Sequence, residues 1–215
     1  MKRFIFVFIL LISFMVSGLT ISEEIKQTSK SLLLPGWGLV RVQETAPAKI
    51  FAGSEILLIS ATLSFYLKSE YELNNSIDYG SYTLTKDISE YPSDILLKME
   101  SYNSSDEYNA SLYTKARQVY PNNIKKQIEY VESRTIPDSL SWNFKETEDR
   151  YNYSSMRANS RRFREFMLYS ISGIAINHIS SAVFTYFKSS EFFKPVEFNG
   201  GFGINSFRIS VGVKF

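Results

Sequence analysis

Runs of mostly apolar residues organise this chain more clearly than any motif does. The first, Phe4 to Val16, is interrupted only by Ser13 and follows Lys2 and Arg3. A basic start, a short apolar run and the small residues Val16-Ser17-Gly18 form the three-part pattern of a secretory signal peptide. Residues 1–22 are therefore assigned to export, with cleavage after Gly18 or Ser22. Two further stretches run from about Ala46 to Leu67 and from about Glu165 to Phe187. Each is close to the roughly 20 residues that carry a helix across a hydrocarbon core. Their interruptions are mainly Ser, Gly, Ala and Thr, which let helix backbones approach in a membrane. On a helix, Gly53, Ser60 and Ser64 share one side of the first stretch. Ser170, Gly173 and Asn177 share one side of the second. The water-soluble alternative is a pair of buried core helices.

Between them, residues 68–164 are polar and rich in tyrosine. Ser93–Ser101, Ser105–Tyr120 and Ile124–Ser133 read as helices, the last capped by Asn122 or Asn123. Tyr120-Pro121 and Ile136-Pro137 interrupt the chain. From Phe144 no Gly or Pro intervenes until Gly173, so one long helix is expected to lead into the second apolar stretch. After Val196 the period shifts to two. Phe207, Ile209, Val211, Val213 and Phe215 alternate with Arg208, Ser210, Gly212 and Lys214, as in a half-buried strand. Asn199-Gly200-Gly201 and Gly203–Ser206 supply turn residues for a hairpin. The terminal Phe is also like the last strand of an outer-membrane barrel, although the other strands of a barrel are missing.

The expected fold is mainly α. It has a signal peptide (1–22), a two-helix membrane hairpin (30–187, with helices at about 46–67 and 165–187), a helical polar insertion (68–164) and a short C-terminal β-hairpin (196–215).

Composition narrows the chemistry. Lys and Arg total 24 against 22 Asp and Glu, which gives no overall case for a nucleic-acid partner. There is no cysteine and a single histidine, His178. Thiol catalysis, disulfides and zinc sites of the Cys/His type are excluded. No catalytic, cofactor or metal set emerges, and no cofactor is expected. The polar residues inside the apolar stretches remain. An ionised carboxylate at mid-bilayer costs about 2.5–3.5 kcal/mol on insertion scales, so Glu55 needs a proton or a partner. Two antiparallel helices bring Glu55 to the depth of Asn177 and His178, and a contact with one of them is expected. Such a contact serves either to glue the hairpin or to handle protons or ions.

Arg157, Arg161, Arg162 and Arg164 precede the second stretch. Basic residues flanking a span favour the cytoplasmic side. With a cleaved signal peptide, the new N-terminus lies outside, the insertion lies in the cytoplasm, and the inner membrane is favoured; outer-membrane association stays open. The stripe Arg157, Arg161, Arg164 is expected at the interface, within reach of anionic lipid head groups.

Ser31-Leu32-Leu33-Leu34-Pro35-Gly36-Trp37-Gly38 stands before the first apolar helix, which contains Glu55. This set, with Tyr151–Arg157 and Asn177-His178-Ile179-Ser180-Ser181-Ala182 further on, resembles the bacterial envelope family called domain of unknown function 5683. The resemblance spans roughly Lys30 to Phe187. The family's Gln after PGWG is Leu39 here, and its late Asp is Phe184. The resemblance implies a topology rather than an activity. Physically, Pro35 and Gly36 suit a turn, Gly38 suits close packing, and Trp37 suits an interfacial anchor.

The function expected from all of this is non-enzymatic. It is a structural or accessory membrane protein of the bacterial cell envelope whose partners are membrane lipid and another envelope protein or itself, with no nucleic acid. The alternative is a small oligomeric channel or ion-handling protein that uses Glu55 and His178.

Overall fold

A computed structural model of the chain describes residues 22–190, 196–203 and 206–213. Seven α-helices account for most of these residues: Glu23–Leu33 (α1), Trp37–Arg41 (α2), Thr45–Leu84 (α3), Ser93–Met99 (α4), Ser105–Val119 (α5), Ile124–Glu132 (α6) and Thr147–Ser189 (α7). A 3₁₀ turn spans Asp138–Leu140. The backbones of Val196–Gly203 (β1) and Ser206–Val213 (β2) pair antiparallel, Val196 opposite Val213 and Gly203 opposite Ser206. The expected signal peptide (except Ser22), the turn residues 204–205, Lys214 and Phe215 lie outside the described residues, as do the side chains of the expected half-buried alternation.

Both α3 and α7 are long and apolar enough to cross a membrane. Each is longer than its apolar stretch. No Pro interrupts α3 after Pro47, which sits in the first turn, where its missing N–H is harmless. The helix continues through a polar segment to Leu84 and stops at Thr85, whose φ is +52°. In α7, Glu148 and Asp149 occupy the first turn and Lys188 the last, each complementing the helix dipole.

The chain forms two compact units, residues 60–170 and the remainder. The unit of residues 60–170 has a conventional apolar core. Ile88, Ile95, Leu96, Met99, Leu112, Val131, Trp142, Phe144 and Tyr153 are buried together. Local chemistry places its helices. The Ser104 hydroxyl accepts from the Glu107 N–H at the start of α5, while Glu107 Oε2 accepts from the Asn103 N–H. Asn123 caps α6 by accepting from the Lys126 N–H. Within this unit α3 and α7 meet through aromatic and small residues. Phe65 lies against Phe163 and Phe166, with ring centroids 6.4 and 5.5 Å apart. The Ser69 hydroxyl donates to the Ser160 carbonyl at 2.9 Å. The insertion expected at 68–164 does not begin as a separate element, because α3 runs into it.

The other unit contains α1, α2, the start of α3 and the end of α7. Leu39 is fully buried here, but its other buried residues are mostly small or polar: Ser31, Ser181 and Thr185 are fully buried, and Ala48, Asn177 and Ala182 nearly so. Large apolar residues point outward instead, among them Ile50, Ile56, Leu57, Ile176, Ile179 and Val183.

One expected stripe faces the other way. Ser60 and Ser64 are exposed, and a Cβ built on Gly53 would meet nothing within 4 Å. The contact side of α3 carries Phe51, Ser54, Glu55 and Leu58. Gly53 and Ser60 lie two positions, about 200° around the helix, beyond Phe51 and Leu58. The stripe on α7 does face inward. Ser170 and Asn177 are buried, and a Cβ on Gly173 would come 2.9 Å from Leu58 Cδ2.

Candidate functional site

The PGWG segment is fastened to α7 by buried hydroxyls. Gly36 has φ +88°, a conformation that suits glycine, and its N–H donates to Ser181 Oγ at 2.7 Å. The Gly38 N–H donates to Ser31 Oγ at 2.9 Å, and Thr185 Oγ1 donates to the same oxygen at 2.6 Å. A Cβ on Gly38 would fall 2.1 Å from the Gln27 carbonyl oxygen. That backbone approach is open only to glycine. Pro35 is buried, whereas Trp37 is 44% exposed. Exposure suits the interfacial role expected of Trp37.

Glu55, Asn177 and His178 meet. Asn177 Nδ2 donates to Glu55 Oε2 at 2.9 Å and to the Phe51 carbonyl at 3.0 Å. The Ser54 hydroxyl lies 2.8 Å from Asn177 Oδ1, and the Phe51 carbonyl and Glu55 carboxylate, which only accept, fix that amide's orientation. His178 Nε2 lies 3.1 Å from Glu55 Oε1, and its Nδ1 lies 2.6 Å from the Leu32 carbonyl oxygen. A carbonyl only accepts, so Nδ1 carries a hydrogen and donates it. Leu32 sits at the end of α1, where backbone carbonyls have no partner within the helix. The imidazole therefore closes a helix C-terminus while its other nitrogen faces a carboxylate.

The arrangement supports proton sharing and structural cross-linking. Nucleophilic catalysis is poorly served, because both ring nitrogens are engaged and neither touches a serine. Among the described residues, no three His, Cys, Asp or Glu side chains gather in a way that would hold a metal ion.

The basic stripe is divided. Arg157 Nε donates to Glu100 Oε1 at 2.7 Å, and Arg161 donates through Nη1 and Nη2 to both carboxylate oxygens at 2.8 and 2.6 Å. These two arginines thus serve a carboxylate within their own unit, Arg157 largely buried and Arg161 half-exposed. Arg164 is exposed. Arg150 bonds the Glu100 carbonyl and Asn103 Oδ1 beside them. Burial opposes ionisation of Glu100. The hydrogen bonds and charges of Arg161 and Arg157 outweigh it and hold the carboxyl below its ordinary value. Tyr153, fully buried beside Arg157, has its phenol pushed up to about 12 by that burial.

Sequence reasoning missed the Leu32 carbonyl, the Ser31–Ser181–Thr185 cluster and Glu100. A signal existed for part of this: Asn177, Ser181 and Thr185 repeat every four residues and mark one face of α7. No signal pointed to Glu100, which is separated from its arginines by 57 and 61 residues. No protein-family model, curated protein or solved structure matches the chain.

Proposed function

We propose that this chain is a non-enzymatic structural or accessory membrane protein of the bacterial cell envelope. In this reading residues 1–22 direct export. The apolar parts of α3 and α7 form a membrane hairpin. The helical insertion is an aqueous head that engages another envelope protein or a second copy, and 196–215 is a small β-hairpin. Placement among the family called domain of unknown function 5683 belongs to the same proposal and rests on the PGWG segment.

One observation carries it. Of the most apolar 18-residue stretch of α3, none is buried within the chain, and of that of α7 only 22% is. A core helix of a water-soluble protein would be covered. An apolar surface this extensive is stable only against another apolar medium. Ile50–Leu67 spans about 27 Å as a helix, close to the roughly 30 Å of a hydrocarbon core. The arginines before the second span favour an inner-membrane location with the head in the cytoplasm. The C-terminal alternation keeps an outer-membrane association as the other localisation.

The test is membrane fractionation with alkaline carbonate washing, followed by crosslinking and mass spectrometry of the native complex. Retention in the washed membranes with a reproducible crosslinked partner supports the proposal. Release without detergent removes it.

A second reading, an oligomeric channel or ion-handling protein, is favoured by the Glu55–His178 contact inside an apolar stretch. It requires conductance in reconstituted bilayers that Glu55→Gln abolishes.

A further inference from the structure

We propose that Glu55 and His178 bind one proton as a unit, and that this proton latches the C-terminal end of α1 onto α7. The inference rests on the membrane location proposed above, which keeps water from replacing the contacts.

The proton count follows from donors and acceptors. The Leu32 carbonyl requires a hydrogen on Nδ1. Across the 3.1 Å contact, Nε2 and Oε1 both present lone pairs unless a proton lies between them. With one proton the pair is either imidazolium and carboxylate or imidazole and carboxylic acid. Both forms preserve the Nδ1–H bond to Leu32. When that proton leaves to water, the neutral imidazole keeps one hydrogen for two acceptors, the Leu32 carbonyl at Nδ1 and the Glu55 carboxylate at Nε2. The charge-assisted bond to the carboxylate is the stronger, so the hydrogen stays on Nε2, and the Leu32 carbonyl faces a bare Nδ1 and loses its donor.

Other charges of these elements do not compensate. On α1, Lys26 bonds Glu23, and Lys30 bonds Gln27. Lys188 of α7 pairs with Glu44, just before α3. Among the described residues of α1, α2, the start of α3 and the end of α7, the remaining charged side chains are Glu24, Arg41 and Lys49. Among the described residues none of these groups hydrogen-bonds to Glu55 or His178. Asn177 holds the far carboxylate oxygen and does not titrate. The bonds of Gly36 and Gly38 to Ser181 and Ser31 also carry no titratable group. The segment therefore loosens at its Leu32 end while the PGWG turn stays docked.

The chain lends itself to the test, having one histidine and no cysteine. Full-length protein with Leu34→Cys, an exposed position two residues past Leu32, is spin-labelled and reconstituted into phospholipid vesicles collected by flotation. Histidine labelled with ¹⁵N reports His178 alone. The expected result is that raising the pH removes the Nδ1 proton and increases label mobility with a common midpoint. Glu55→Gln, whose amide N–H donates to a neutral Nε2, keeps the label immobile throughout the same range. His178→Ala frees it at every pH. Mobility that does not follow Nδ1, no transition in either signal, or a Glu55→Gln variant that titrates like the parent overturns the latch. Protein that fails to float removes the membrane reading and the latch with it, whereas protein that floats without the coupled transition removes the latch alone.

Discussion

The two units of this chain differ in what dominates their interiors: large apolar side chains in residues 60–170, although Ser76 and Glu100 are buried there too, and small or polar ones in the other unit, although Leu39 is fully buried there. In residues 60–170, Leu112, Met99, Trp142 and Tyr153 are inside, as in any water-soluble domain. In the other unit the inside holds Ser31, Ser181, Thr185 and Asn177 beside a single large apolar residue among the described ones, Leu39, while Leu57 and Ile176 are 72% and 64% exposed. In the proposed membrane reading, one polypeptide follows two solvation rules. In water, apolar burial drives packing and polar groups stay outside. Against lipid, apolar burial gains nothing, so small residues and hydrogen bonds make the helix contacts. The contrast teaches that the identity of buried residues reports the surrounding medium more directly than hydropathy does. Hydropathy alone does not separate a membrane span from a core helix.

Substitutions can break this comparison. The largest effect is expected from Glu100→Ala, which leaves Arg157 and Arg161 without their shared anion in a partly buried site. Loss of one partner of a buried ion pair costs about 3–5 kcal/mol. Denaturation of the full-length protein in detergent micelles measures it, with Trp37→Phe as the background so that buried Trp142 reports on its own unit. Glu100 also sets a pH dependence. Its folded value is depressed, so its contribution is present above its ordinary value of 4.5 and is lost as the pH falls through the lower folded value. The stability gap between the parent and Glu100→Gln should therefore close on acidification below about 4.5.

Next, Leu112→Ala should cost about 2–5 kcal/mol, the range for a fully buried leucine. Leu57→Ala, the same chemical change on the other unit's outer surface, should cost less than about 0.5 kcal/mol. Equal losses at the two positions would show that both face a water-excluding protein interior. Between these, Ser181→Ala orphans the buried Gly36 N–H and should cost about 1–3 kcal/mol. It is detected as earlier proteolysis before α3.

Much of the helical layout was legible, because it depends on local signals. Asn123 as a cap, the break at Pro121 and the Gly- and Pro-free run from Phe144 to Gly173 placed α6 and α7 within a few residues. The meeting of Glu55 with Asn177 and His178 was also legible, since two antiparallel spans force residues of equal depth together. What escaped depends on rotation and long-range geometry. Gly53, Ser60 and Ser64 do share a side of α3, yet only the packing of Phe51, Leu58 and Phe65 decides which side faces α7. The pairing of Arg157 and Arg161 with Glu100 escaped because that carboxylate lies on a remote segment. The extension of α3 to Leu84 was hidden by the polar character of residues 68–84, which mimics a loop to any hydropathy argument. The Leu32 carbonyl is a backbone group, and no residue type announces it.

The central claim is that lipid surrounds the outward faces of α3 and α7. Single cysteines at Leu57 and Ile176, with one at exposed Ile124 of α6 for comparison, can be spin-labelled in the vesicle-reconstituted protein. Collision with oxygen and with a water-soluble nickel chelate is then compared. Labels at 57 and 176 should collide often with oxygen and rarely with nickel, and the label at 124 should do the reverse. Nickel accessibility at 57 and 176 equal to that at 124 would contradict the account.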